Sequence, residues 1–201
     1  MNRRAMTKPL HIFAALLLPL GLAACNDQPA TPAPPLAGAA IGGPFTLIDK
    51  DSRPVSWADF DGKYRIVYFG YTFCPDACPL DVTAMMQGFS RFEKDHAKLA
   101  AQVQPIFITI DPARDTPKAV GEFSAAFHPR LLGLTGTEEQ VAGAAKGFAA
   151  YYARGKDTPV GYLMDHSRVA YLMGRKGEPI AMLPIDTSPD DVAAELAKWV
   201  K

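Results

Sequence analysis

The segment that most restricts this chain lies between residues 65 and 92. Arg65-Ile66-Val67-Tyr68-Phe69 is an apolar, β-branched run that reads as a buried strand. Past Tyr71-Thr72-Phe73-Cys74-Pro75-Asp76-Ala77-Cys78-Pro79, the residues Val82, Met85, Met86, Phe89 and Phe92 recur every three or four positions. That spacing predicts an amphipathic helix from Pro79 to about Ala100. Val103 to Ile110 then reads as a second buried strand. Strand, helix and strand in succession imply an α/β fold with a mixed central sheet covered by helices.

The flanking segments extend this pattern. Phe45-Thr46-Leu47-Ile48 and Val55-Ser56-Trp57 surround a polar turn and predict an N-terminal β-hairpin. Pro117 to Phe127 predicts a helix with Val120, Phe123 and Phe127 on one face. Thr137 and Gln140 have the spacing of a capping box for the next helix. Tyr162-Leu163-Met164, Val169-Ala170-Tyr171-Leu172 and Pro179 to Leu183 read as strands, with a turn at Gly174 to Gly177. Ser188-Pro189 opens a last helix, with cap and first-turn proline in favoured places. A closing β-hairpin followed by a helix is the thioredoxin-like arrangement.

The front of the chain is a different kind of segment. Arg3, Arg4 and Lys8 precede an apolar stretch from His11 to Ala24, broken by Pro19. It is short for a membrane span, which needs about 20 apolar residues, and reads as a signal peptide over residues 1–24. Leu22-Ala23-Ala24-Cys25 resembles the lipobox of bacterial lipoproteins, which implies lipidation at Cys25 and a domain on the periplasmic side of the cell envelope. Residues 25–43, rich in Pro, Ala and Gly, read as a tether, and the folded domain is expected over residues 44–201. Lys and Arg together number 21, as do Asp and Glu, so no basic excess points to nucleic acid. Nothing in the pattern calls for an obligate oligomer, and a monomer is expected.

Of three cysteines, Cys74 and Cys78 remain once Cys25 is set aside. They fall between a buried strand and a helix, the end of a sheet where α/β proteins place ligand sites. Near a helix N-terminus the backbone dipole favours thiolate over thiol. Two thiolates alone serve redox exchange or a structural disulfide. With a third ligand they make a soft metal site, and His166, between two predicted strands, is the candidate. A disulfide closing so small a loop would constrain the unfolded chain little. His96 and His128 read as surface or cap residues, and Met85, Met86, Met164 and Met173 as packing residues.

Three motifs carry a family resemblance. Tyr68 to Pro79, Asp111-Pro112-Ala113-Arg114-Asp115-Thr116-Pro117, and Asp165-His166-Ser167 followed by Tyr171-Leu172 and Gly174 together resemble the SCO/SenC family over about residues 44 to 200. The resemblance implies a thioredoxin fold and one copper ion, Cu(I) or Cu(II), on Cys74, Cys78 and His166. It also implies copper delivery to the dinuclear copper site of cytochrome c oxidase, whose subunit II or another copper-accepting protein would be the partner. Asp111, Arg114, Asp115 and Asp165 would support the site without ligation. Such a protein is a metallochaperone rather than an enzyme. The competing reading is a thiol-disulfide oxidoreductase that reduces the target's copper-ligand cysteines with Cys74 and Cys78. The spacing speaks against that, since thioredoxins place two residues between their cysteines and this chain has three. A copper-responsive sensor is a third reading.

Overall fold

Apolar residues on both sides of one central strand organise the molecule. The computed structural model describes Met1, residues 32–159 and residues 161–201. The apolar leader, Cys25 and the first part of the tether lie outside the described residues. The chain divides into two units, Met1–Pro32 and Ala33–Lys201, and the second carries the sheet.

That central strand is β3 (Tyr64–Gly70), buried along its whole length. It pairs in parallel with β4 (Val103–Thr109), which pairs in parallel with β5 (Leu132–Leu134). On its other side β3 pairs antiparallel with β8 (Ala170–Met173), which pairs antiparallel with β9 (Pro179–Leu183). The sheet order is therefore β5-β4-β3-β8-β9. Alternation along β3 divides the core in two. Ile66 and Tyr68 pack with α1 (Ala77–Asp95) and α5 (Pro189–Trp199), and Val120 of α3 (Pro117–Phe127) joins them. Val67 and Phe69 pack with Trp57, Phe148 and residues of α4 (Glu138–Gly147). The hairpin β1 (Thr46–Ile48) and β2 (Pro54–Ser56) sits on that second side through Leu47. This is the mixed, helix-covered, thioredoxin-like sheet with an N-terminal hairpin that the pattern predicts.

Arg65 is a charge inside β3. Its guanidinium lies 4.6 Å from the Trp57 ring, donates to the Gly174 carbonyl at 2.8 Å and to Asp61 at 2.9 Å. Those partners offset the desolvation of a side chain with no exposed surface. The predicted caps form: Thr137 Oγ1 accepts from Gln140 N–H, Gln140 returns the bond, and Ser188 Oγ accepts from Asp191 N–H.

Four features differ from the sequence expectation. Helix α1 begins at Ala77, so Pro79 is its third residue, a place where the backbone N–H has no intrahelical partner in any case. The helix stops at Asp95, and α2 (Ala97–Ala100) follows a break at His96, whose carbonyl accepts from Leu99 and Ala100. Strands β5 and β6 (Tyr152–Thr158) carry no strong strand pattern, and β6 pairs with β7 (Gly161–His166) in a separate two-stranded arm. Finally, residues 36–43 of the expected tether lie against the domain. Leu36 N–H donates to Ile180 at 3.0 Å, Gly42 N–H donates to Gly147 at 2.8 Å, and Leu36 and Ile41 cover the second core cluster.

Candidate metal centre

Three elements meet at one end of the sheet. Cys74 lies in the loop that leaves β3, Cys78 in the first turn of α1, and His166 at the last position of β7. Their ligand atoms lie within 4.8 Å of one another. Cys78 is buried, while Cys74 and His166 are half-buried. The β3 residue nearest the cysteine loop is Gly70, where a Cβ would sit 3.2 Å from the Cys78 sulfur and 2.8 Å from the Tyr68 ring. A glycine there is what lets the sulfur approach the strand.

The geometry sets the protonation states. Cys78 Sγ and His166 Nε2 are 3.1 Å apart. His166 Nδ1 faces the Ser167 carbonyl at 3.0 Å, and a carbonyl only accepts, so Nδ1–H donates there and Nε2 is the ring nitrogen turned toward the sulfurs. Cys78 N–H, at the start of α1, donates to Cys74 Sγ at 3.3 Å. A hydrogen bond from the Cys78 thiol holds Cys74 well below the usual thiol range against the opposing effect of burial, with His166 and backbone N–H groups adding to it. The same bond, together with burial, pushes Cys78 up. One thiolate, one thiol and one imidazole nitrogen therefore converge, and once the thiol is deprotonated and Nε2 turns its lone pair to a metal they make a soft S2N donor set.

Around the donors, two hydrogen-bond networks centre on Asp115 and Asp111, residues of the motif at 111–117. Asp115 accepts from Thr72 N–H at 2.9 Å, from Thr72 Oγ1 at 2.6 Å and from Thr109 Oγ1 at 2.6 Å, which ties the cysteine loop to the end of β4. Asp111 accepts from Arg114 Nε at 2.5 Å and from the Tyr162 hydroxyl at 2.7 Å, and Arg114 stacks 3.6 Å over the Tyr162 ring. That network holds the β6–β7 arm. Asp165 is exposed, on the face of β7 opposite to its neighbour His166.

A third network has no counterpart in the sequence expectation. Asp81, only 1% exposed, accepts from Arg168 Nε at 2.9 Å, from Arg168 Nη2 at 2.5 Å and from the Tyr68 hydroxyl at 2.9 Å. Asp81 is one turn beyond Cys78, and Arg168 is two residues beyond His166. The pair clamps the histidine segment to the cysteine helix. Tyr68 and Tyr71 meet the His166 ring edge-on at 6.2 and 6.0 Å. A signal was present: Asp81 occupies an apolar phase of α1, beside Val82 and one turn before Met85. The other histidines lie elsewhere, His96 against Phe92 and His128 against Phe89 and Glu93. Met85, Met86 and Met173 are core residues, and Met164 packs partly buried against the second cluster.

The family model described as SCO1/SenC matches residues 33–201. The chain belongs to the SCO1/SenC family. Among its SCO1/SenC relatives, the SCO2-like protein of Rickettsia felis is 35% identical over 191 residues, covering 90% of this chain and 91% of the relative. The mitochondrial SCO1 homolog 1 of Arabidopsis thaliana is 37% identical over 172 residues, 83% of this chain and 51% of the relative. The chain thus spans about half the length of such mitochondrial SCO relatives. Among solved structures, Arabidopsis thaliana ScoI with copper bound superposes with a TM-score of 0.74 at 35% identity, covering 79% of this chain and 96% of that one.

Proposed function

We propose that this SCO1/SenC protein is a copper metallochaperone that binds one copper ion on Cys74, Cys78 and His166 and passes it to the dinuclear copper site of cytochrome c oxidase. The convergence of two sulfurs and one imidazole nitrogen within 4.8 Å carries this reading. The copper-bound state of the Arabidopsis ScoI relative supports it. Copper is cargo. Cys74 supplies a ready thiolate, Cys78 loses its proton as the metal enters, and His166 presents Nε2. Half-buried Cys74 and His166 leave one side open, from which an acceptor's thiolate replaces the ligands one at a time. Oxidation of the two cysteines to a disulfide removes both sulfur donors and abolishes binding. Attachment to the envelope through a lipid on Cys25 is part of the proposal; among the described residues no helix is long and apolar enough to cross a membrane.

One observation favours the thiol-disulfide reading as a second function. Cys74 is held as a thiolate beside a resolving thiol, the arrangement in which Cys74 attacks a target disulfide to form a mixed disulfide and releases the target's first thiolate, and Cys78 then gives up its proton, attacks the Cys74 sulfur and releases the second. Two electrons pass to the target, its disulfide becomes two thiols, and Cys74–Cys78 becomes the disulfide.

The test is a copper titration of the reduced fragment 33–201 beside His166→Ala, read by metal content and thiolate-to-copper charge-transfer absorption. One tight copper per chain, lost in the variant and after oxidation, is expected. Copper binding that ignores the substitution, with brisk disulfide exchange, would replace the chaperone by the reductase.

A further inference from the structure

The surface of the domain keeps its large apolar side chains covered, with four exceptions. Among the described residues of 33–201, Phe73, Leu80, Tyr151 and Met182 stand 53%, 62%, 64% and 55% exposed. Three of them adjoin the segments that carry the candidate ligands, and the fourth adjoins the Arg168–Asp81 clamp. Phe73 precedes Cys74. Leu80 is two residues beyond Cys78 in the first turn of α1. Tyr151 donates its N–H to Ser167 Oγ at 2.8 Å, beside His166. Met182 lines one shallow depression with Arg168 and Asp81, the clamp of the histidine segment. Exposed apolar groups on neighbouring segments of otherwise covered surface mark a binding face.

We propose that these four side chains form a docking collar for the copper-accepting protein, a partner with an apolar face around its own thiol donors and cationic residues at the edge. The inference rests on the copper-delivery reading. Ligand exchange brings an acceptor's donors to the metal, so the acceptor's surface has to close over whatever surrounds Cys74 and His166. The charges on this face select among occupants. Asp76 and Asp186 are exposed and in no ion pair among the described residues, while the cations near them are held by other carboxylates, Arg168 beside Asp186 by Asp81 and Arg114 over the Phe73 ring by Asp111. An uncompensated negative edge repels an anionic lipid surface and also a second copy of the same face, and it favours a partner that brings Lys or Arg.

The experiment follows copper from the loaded fragment 33–201 to the reduced soluble domain of cytochrome c oxidase subunit II by stopped flow. The same loaded protein is run against a small copper(I) chelator. Leu80→Gln/Met182→Gln and Tyr151→Ser replace exposed groups outside the ligand set. Each is expected to keep the parent's copper affinity and its rate to the chelator, and to slow transfer to the protein acceptor about tenfold. Raised ionic strength should slow the protein transfer further and leave the chelator rate alone. Variants that match the parent toward the protein acceptor overturn the collar and leave the delivery reading standing. Transfer that proceeds at the same rate at every ionic strength overturns the cationic edge. If the parent passes copper to the chelator and not to the domain, delivery itself fails and the collar falls with it.

Discussion

At the scale of single residues, the centre is a set of unequal partners. Cys74 is a thiolate before metal arrives, because the Cys78 thiol and N–H both point at its sulfur; Cys78, buried next to that charge, keeps its proton. These states set the sign of the pH effect. A group whose pKa is raised in the metal-free protein stays protonated through neutral pH and has to release that proton on binding, while a group already ionised releases none. Between about pH 7 and 8, apparent copper affinity is therefore expected to rise about tenfold per pH unit, with one proton released per metal. Calorimetry in buffers of different ionisation enthalpy counts that proton, and a count of two would show that Cys74 also starts protonated. Arg168 is the second residue-scale case. Arg168→Met leaves the buried Asp81 carboxylate with the Tyr68 hydroxyl alone, at a cost of about 2 kcal/mol for a partner that is half exposed. Copper affinity should fall by about tenfold or more, as when a ligand loses its outer support. Adding Asp81→Asn should restore stability in urea and not the affinity. Unchanged affinity in the single variant would mean that the pair only staples the fold.

At the scale of elements, the cysteine loop is short, packs into the second core cluster through Tyr71, and is shaped beyond it by hydrogen bonds. Asp115 binds it at two atoms of Thr72 and anchors itself on Thr109. Asp115→Ala strands those donors and is expected to destabilise the domain by about 2–4 kcal/mol, with copper affinity falling alongside. Thermal unfolding with and without copper measures both; a variant as stable as the parent would show that the loop holds its shape through α1 alone. The β6–β7 arm explains why part of the fold was hidden in the sequence. Tyr152-Ala153-Arg154-Gly155-Lys156-Asp157-Thr158 is polar and contains glycine, because the arm stands largely in solvent and no apolar alternation was needed to seat it. β3, β4 and α1 were legible for the opposite reason: each is packed, and packing writes a period of two or of 3.6 into the residues.

For the whole molecule, the domain begins earlier than its first hairpin. Leu36 and Ile41 are apolar residues in a proline-rich segment, too sparse to mark an element, yet they close the second core cluster while Leu36 N–H occupies a carbonyl of β9. Removing residues 33–43 should lower stability by about 2 kcal/mol, the sum expected for uncovered apolar surface and lost backbone bonds. Comparing fragments 33–201 and 44–201 in urea checks it, and equal midpoints would reduce the strap to a passive lead-in.

The sequence by itself determined the α/β alternation and the helix caps, and it offered Cys74, Cys78 and His166 as candidate donors, because propensity, periodicity and side-chain chemistry are local properties. Only the tertiary structure decided that His166 comes within 3.1 Å of a cysteine 88 residues away, that Arg168 closes on Asp81, and that Phe73, Leu80, Tyr151 and Met182 stay exposed. Those distances come from the order of strands in the sheet and from the packing of the β6–β7 arm. Both are contacts between distant segments, and no pattern within either segment records them.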